Sequence, residues 1–308
     1  MPHSLIHGVL GNDHGSISRA ITLIENHQTP PEPFLSEIHA NASDAIRIGI
    51  TGPPGAGKST LTNALIETYL ANNKTVGVVA VDPTSPFTGG ALLGDRVRMT
   101  ESTDSGTYIR SIASRGATGA VSRSIRNSIR VLEYAGFNPI IIESVGAGQT
   151  EVEISNIADI IIVVFNPHTG DSIQTIKAGI TEIGDMYIVN KSDLDGAGQL
   201  FQAVQDFIGS VEKNPIILKV SSKTGKGITE FVKELRSSMK KKKKNKKQKE
   251  NEMLAIELND IILNTINQKI SSMVTSSKSY STYLKKVQGK KIDPFEASDK
   301  ISKELLRK

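Results

Sequence analysis

Eight residues constrain this chain more than any others. Gly52-Pro53-Pro54-Gly55-Ala56-Gly57-Lys58-Ser59 fits G-x-x-x-x-G-K-[ST] without deviation. The pattern works only between a strand and a helix, and both neighbours are present: an apolar run at 46–50 before it and a helical stretch at 60–69 after it. Its glycines let the backbone curl so that successive N–H groups face a phosphate, and the helix start adds positive potential there. Gly52, Pro54, Gly55, Ala56, Gly57, Lys58, Ser59 and Thr60 are therefore the expected phosphate-binding set. Lys58 is expected to reach the outer phosphates, and the Ser59 hydroxyl to ligate magnesium.

From residue 45 onward, short apolar runs recur at 46–50, 76–81, 140–142, 160–165, 186–189 and 216–220. Runs of this length, rich in Ile and Val, read as strands buried on both faces, and helical stretches lie between most of them. The alternation predicts an α/β domain over 45–238, a mostly parallel central sheet wrapped by helices. Residues 1–44 form a helical extension with one predicted helix at 16–26. Its Ile17, Ala20, Ile21 and Ile24 share a face, and the Pro-rich 29–33 closes it. A Lys-rich linker follows the domain at 239–249, and a second helical extension occupies 250–308. There Leu254, Leu258, Ile261, Ile262, Ile266, Ile270 and Met273 recur at helical spacing. This stripe has too little around it to form a core alone, so it must pack on the first domain or on another subunit. A last helix is expected from Asp293, with Pro294 in its first turn and Glu296 completing a pattern like a capping box.

Composition removes several function classes. The chain has no Cys, so disulfides, iron–sulfur clusters, cysteine-ligated zinc and a thiol nucleophile are excluded. Its six His residues form no H-x-x-x-H or H-E-x-x-H pair. The longest purely aliphatic or aromatic run, 160–165, has six residues, far short of the roughly 20 a membrane span needs. No basic stretch followed by an apolar one opens the sequence, so a cytoplasmic location is expected. The net charge of +5 misleads: residues 240–249 hold eight Lys and no acid, and the rest of the chain carries −3. A general nucleic-acid-binding surface is not implied. The Lys run reads first as a solvated connector, with contact to an acidic partner or a nucleic acid as the sharper reading.

Asn190-Lys191-Ser192-Asp193 follows the run at 186–189 directly. The Asp193 carboxylate can accept from both the ring N–H and the exocyclic amine of guanine, a donor pair that adenine lacks. A site built around such an acceptor rejects the base that leaves it unpaired, by up to about 10⁴-fold or more. The Lys191 stem can lie against the base. Ser221-Ser222-Lys223, after the next run, fits a backbone contact to the base or an ordinary helix-entry loop. Three acids fall where phosphate chemistry wants them: Asp82 after the run at 76–81, Asp95 in the Gly-rich stretch beyond it, and Glu143 after the run at 140–142. Strand ends beside a phosphate loop form the ligand crevice, and magnesium prefers a few carboxylates with phosphate oxygens and retained waters. One of these acids is expected to hold the metal and another to orient the attacking water. Each singly could also be a solvated loop acid or a helix cap. In Glu143-Ser144-Val145-Gly146, the next residue, where many small GTPases carry a Gln, is Ala147. Ala cannot polarise water, and Gln149 is the nearest substitute. Slow intrinsic hydrolysis, accelerated by a partner, is therefore expected.

These residues closely resemble the MeaB/ArgK GTPases. Val81-Asp82-Pro83-Thr84-Ser85-Pro86-Phe87-Thr88-Gly89-Gly90 with Leu93-Gly94-Asp95-Arg96-Val97-Arg98-Met99 is similar to their first switch. Glu143-Ser144-Val145-Gly146-Ala147-Gly148-Gln149-Thr150-Glu151 resembles the second. Gly170-Asp171 with Gln174-Thr175-Ile176-Lys177-Ala178-Gly179-Ile180 resembles the third. The resemblance covers about residues 15–236 and implies the signal-recognition-like branch of P-loop GTPases, GTP and GDP with Mg²⁺ as ligands, and homodimers through C-terminal helices. It also implies a chaperone role toward methylmalonyl-CoA mutase, gating adenosylcobalamin loading and protecting that enzyme. On this reading Asp82, Asp95 and Glu143 serve metal and water, and Lys177 moves with nucleotide state. Arg110, Arg115 and Arg123 border the switches and offer a partner surface or plain solvated charge. Departures include Ser144, Ala147, the stretch Asn166-Pro167-His168-Thr169, and the Lys run. Nickel metallochaperones share the expected fold but usually carry Cys/His motifs. A transport-linked kinase would need a protein substrate near a membrane, and a binding-only role would rest on the Lys run.

Overall fold

Side chains alternating between two faces build the sheet. In the computed structural model, residues 2–26, 32–82, 106–113, 120–144, 149–167, 182–211, 215–243 and 246–305 are described. The strands are β1 (Arg47–Thr51), β2 (Val76–Asp82), β3 (Thr107–Ala113), β4 (Ile140–Ser144), β5 (Ile160–Phe165), β6 (Met186–Val189) and β7 (Ile216–Lys219). They form one parallel sheet in the order β3-β2-β4-β1-β5-β6-β7. Ile160, Ile162 and Val164 of β5 enter one core, and Ile161, Val163 and Phe165 enter the other. Both faces are covered, so the central strands read as unbroken apolar runs.

Helices α4 (Lys58–Leu70) and α8 (Ile228–Lys243) close one face with Leu61, Leu65, Ile66 and Tyr69 against Phe231, Val232 and Leu235. The other face is closed by α5 (Ala120–Tyr134), α6 (Gln149–Ser155) and α7 (Ala197–Val211), joined by α1 (Pro2–Leu10), α2 (His14–Asn26) and α3 (Glu32–Asn41). Val9, Ile17, Ile21, Phe34 and Ile38 are buried in the same core as Ile125, Ile129 and Leu132 of α5. Burying each such side chain is worth roughly 1.5–3 kcal/mol, so the N-terminal helices are part of the sheet domain's core.

Two local features go beyond the apolar pattern. The segment 107–113, Thr-Tyr-Ile-Arg-Ser-Ile-Ala, is a strand the apolar pattern missed, because β3 sits at the sheet edge and mixes polar with apolar residues. The Lys-rich stretch is helical where it is described: α8 continues through Lys243 and α9 (Lys246–Ser276) resumes three residues later. Lys is a good helix former, and Lys242 pairs with Asp185 before β6.

Contacts divide the chain into two units, Met1–Lys249 and Glu250–Lys308. In the second, α10 (Lys278–Gln288) and α11 (Pro294–Leu305) are tied by Ser279 Oγ, which donates to Glu304 at 2.7 Å. Asp293 caps α11, accepting from the Phe295 and Glu296 N–H groups. Leu254, Leu258, Ile261, Ile262, Ile266 and Ile270 of α9 are exposed. No described helix is long and apolar enough to cross a membrane.

Candidate functional site

The phosphate loop runs from the end of β1 into α4. Gly52 has φ 141°, and a Cβ there would stand 2.1 Å from the Val164 carbonyl of β5. Gly57 has φ 88° and caps α4, so only glycine fits these two turns without strain. Lys58 is 7% exposed and lies back along the loop, donating to the Gly52 and Pro53 carbonyls at 2.9 and 3.1 Å. Pro54, Gly55 and Thr60 are exposed, while Ala56 is buried.

Glu143 ends up beside this loop because β4 is the direct neighbour of β1. Its two carboxylate oxygens accept from Ser59 Oγ at 2.6 Å and Thr62 Oγ1 at 2.8 Å. A hydroxyl and a carboxylate in contact at the head of α4 suit a hard cation that also takes phosphate oxygens and water. Among the described residues no group of three His, Cys, Asp or Glu could hold a metal. Asp82 closes β2, and its side chain lies outside the described residues, as does that of Gln149 at the start of α6. Asp95, Lys177, Arg115 and most of the three switch stretches also lie outside them. Arg110 is engaged within the fold, donating to Thr22 of α2 at 3.0 Å.

The second half of the site hangs on Asn190, which is 1% exposed. Its amide donates to the carbonyls of Ala56 and Gly57 at 3.0 and 3.3 Å, and its Oδ1 accepts from the N–H and hydroxyl of Ser222 at 3.1 and 2.9 Å. Lys191, at φ 55°, stretches to the Gly55 carbonyl at 2.8 Å. One asparagine thus joins the phosphate loop, the segment after β6 and the segment after β7. Asp193 is exposed, and the Ser221 hydroxyl and its own backbone N–H, helped by Lys223 and Lys191, hold its carboxyl below the usual carboxylate range. It therefore stands ionised as an acceptor at the mouth of the site. Ser221 is buried and Lys223 exposed.

Several polar side chains here make contacts to which the motif reading gave no role. Asn166 donates to the Gly55 carbonyl at 2.9 Å. Thr62 lies three residues after Ser59 and so on the same helix face, a signal that spacing alone could have given. Glu151, 2% exposed, accepts from Thr51 Oγ1 at 3.0 Å, and Ser144 donates to the same Thr51 hydroxyl at 2.9 Å. Burial pushes the Glu151 carboxyl up, opposed by the Thr51 hydrogen bond and the Lys58 charge. A second buried carboxylate therefore feels the charge of the loop lysine.

The phosphate loop, Glu143 and Asn190 thus meet at the strand ends of one parallel sheet. A profile described as "Methylmalonyl Co-A mutase-associated GTPase MeaB" matches residues 17–275. A putative GTPase of Pyrococcus abyssi is 37% identical over 317 residues, covering 99% of this chain and 97% of that one. The mitochondrial methylmalonic aciduria type A homolog of Mus musculus is 31% identical over 252 residues, covering 74% of this chain and 61% of that one. The crystal structure of a LAO/AO transport system kinase superposes with a TM-score of 0.69 at 21% identity, covering 99% and 97% of the two chains, and shows the shared fold. With the family profile spanning both halves of the nucleotide site, the chain belongs to the methylmalonyl-CoA mutase-associated MeaB family of GTPases.

Proposed function

We propose that this protein is a Mg²⁺-dependent GTP hydrolase that acts as a chaperone of methylmalonyl-CoA mutase or a related cobalamin-dependent acyl-CoA mutase. It would couple GTP binding and hydrolysis to adenosylcobalamin loading and to protection of that enzyme. The observation that carries the guanine half is the ionised Asp193 acceptor, held beside an Asn190 that is bonded directly to the phosphate loop. The family description and the name of the mouse relative support the mutase half. A cytoplasmic homodimer joined through the C-terminal helices completes the reading.

In this account the loop amides and the α4 N-terminus take the GTP phosphates. Lys58 exchanges the Gly52 and Pro53 carbonyls for phosphate oxygens. Ser59 and Glu143 would hold Mg²⁺, with Asp82 and Asp95 as further carboxylates, and the ion would neutralise charge on the transferred phosphoryl group. Gln149 orients the attacking water, imperfectly because Ala147 offers nothing. Lys177 reports the nucleotide state to the client, its loop ordering around the third phosphate and relaxing after hydrolysis.

The test is GTP hydrolysis by the purified protein with and without the mutase of the same organism. Slow turnover that rises on adding the mutase is expected. GTP turnover indifferent to the mutase would overturn the client assignment and leave the hydrolase standing.

A further inference from the structure

At the far end of α4 from the phosphate loop lies a second pocket. Ten residues separate Lys58 from Thr68, a rise of about 15 Å along the helix. The pocket has a volume of about 560 Å³ between α4 and α8. Its walls are fixed by packing: Leu65, Ile66 and Tyr69 of α4 meet Phe231, Val232 and Leu235 of α8 in one buried cluster. Tyr69 also donates to Met239 Sδ at 3.9 Å.

The charge of this pocket is one-sided. Lys233, Arg236 and Lys240 line it at successive turns of α8, spanning about 10 Å of helix. None of the three forms an ion pair with a described residue. The acids of α8, Glu230 and Glu234, fall off this stripe and do not line the pocket. On the opposite wall the Thr68 hydroxyl donates to the Ala64 carbonyl at 2.8 Å and the Asn72 amide to the Thr68 carbonyl at 2.7 Å, which leaves the second Asn72 N–H as a neutral donor, and Thr229 adds a hydroxyl beside the cations. Ile228 and Val232 give it an apolar floor. Three clustered cations with neutral donors beside them suit phosphate groups, and the floor suits the body of an organic phosphate.

We propose that this pocket is a second anion site, separate from the nucleotide crevice, for a phosphate-bearing small molecule whose charged groups lie up to about 10 Å apart. An organic phosphate and an inorganic polyphosphate share this chemistry, and two probes separate them. Adenosine 3′,5′-bisphosphate has two phosphates on an organic body with a flat aromatic ring, and tripolyphosphate has charge alone. Each is titrated calorimetrically into the full chain saturated with Mg²⁺ and GDP, so that the phosphate loop is already filled. The same titrations follow on the Lys233→Ala/Arg236→Ala double variant and on a chain lacking residues 241–249.

One molecule of probe per chain is expected to bind the GDP-loaded protein. The double variant should weaken it about 10–100-fold, since two charge-assisted contacts are lost, while GDP affinity and the circular dichroism spectrum stay unchanged. Preference for the bisphosphate assigns an organic phosphate, and preference for tripolyphosphate an inorganic one. Binding of neither probe would overturn the proposal. So would binding that survives the double variant, or binding that disappears only with residues 241–249.

Discussion

Replacing Asn190 with Ala tests whether one side chain holds the two halves of the nucleotide site together. The amide of Asn190 satisfies Ala56 O at 3.0 Å and reaches Gly57 O at 3.3 Å, while its Oδ1 accepts from the Lys191 N–H at 2.8 Å, the Ser222 N–H at 3.1 Å and the Ser222 hydroxyl at 2.9 Å. Not all five losses count. Gly57 O also accepts from the Leu61 N–H at 3.0 Å, and the Ser222 hydroxyl can turn to another acceptor. Three backbone groups, Ala56 O, Lys191 N–H and Ser222 N–H, are left without a partner. A buried group stripped of its partner costs about 1–3 kcal/mol, and the two N–H groups are only part-buried, so the variant should lose about 3–5 kcal/mol. In a unit of this size that lowers Tm by roughly 6–20 °C. The loop is also no longer preorganised, so affinity for GDP and for pyrophosphate alone should fall together, because the loop carbonyls rather than the base contact lose support. Thermal unfolding with a fluorescent GDP titration measures both. Ser222→Ala is the comparison: it removes one hydroxyl and should cost less than about 1 kcal/mol. An Asn190→Ala protein with unchanged Tm and unchanged pyrophosphate binding would refute the hub.

Further outcomes concern neighbouring residues. Glu143→Gln keeps the shape but puts an amide where Ser59 and Thr62 donate; the Mg²⁺ concentration for half-maximal GTP turnover should rise about 10–100-fold, and an unchanged midpoint would remove Glu143 from the metal site. Glu151 has its folded pKa raised above the ordinary 4.5 by burial. Its neutral form is therefore favoured by folding, and its stabilising contribution is complete below pH 4.5 and is lost as pH rises through the folded value. Denaturant unfolding of Glu151→Gln should lack that decline, and identical pH profiles for the two proteins would contradict it. Gly52→Ala and Gly55→Ala should part sharply in thermal melts. The first drives a Cβ to 2.1 Å from a backbone carbonyl, whereas the second meets nothing within 4 Å and costs only about 1–2 kcal/mol for its left-handed φ; equal losses would refute the steric argument.

How much of this was legible in the sequence follows from distance along the chain. The phosphate loop and Asn190-Lys191-Ser192-Asp193 carry their chemistry in contiguous residues, and strands buried on both faces announce themselves as apolar runs. β3 was hidden because an edge strand need not be apolar throughout, and Arg110 and Ser111 broke the run. The contacts of Asn166 with Gly55 and of Thr51 with Glu151 span 111 and 100 residues. Nothing local marks such pairs, since only the sheet order brings their strand ends together. The Lys-rich stretch carries no apolar period, yet its helix propensity and the Lys242–Asp185 pair carry α8 into it. The stripe at 254–273 was readable as one helix face, while no local pattern names what that face meets.

The central claim is a guanine-specific hydrolase whose base acceptor is Asp193. The most direct measurement compares Mg²⁺-dependent hydrolysis of GTP, ATP and xanthosine triphosphate by the native protein and by Asp193→Asn. The account predicts GTP alone for the native protein, and a transfer of preference to the xanthine nucleotide in the variant, whose amide can donate where the carboxylate accepted. Hydrolysis of ATP by the native protein, or GTP turnover untouched by Asp193→Asn, would contradict it.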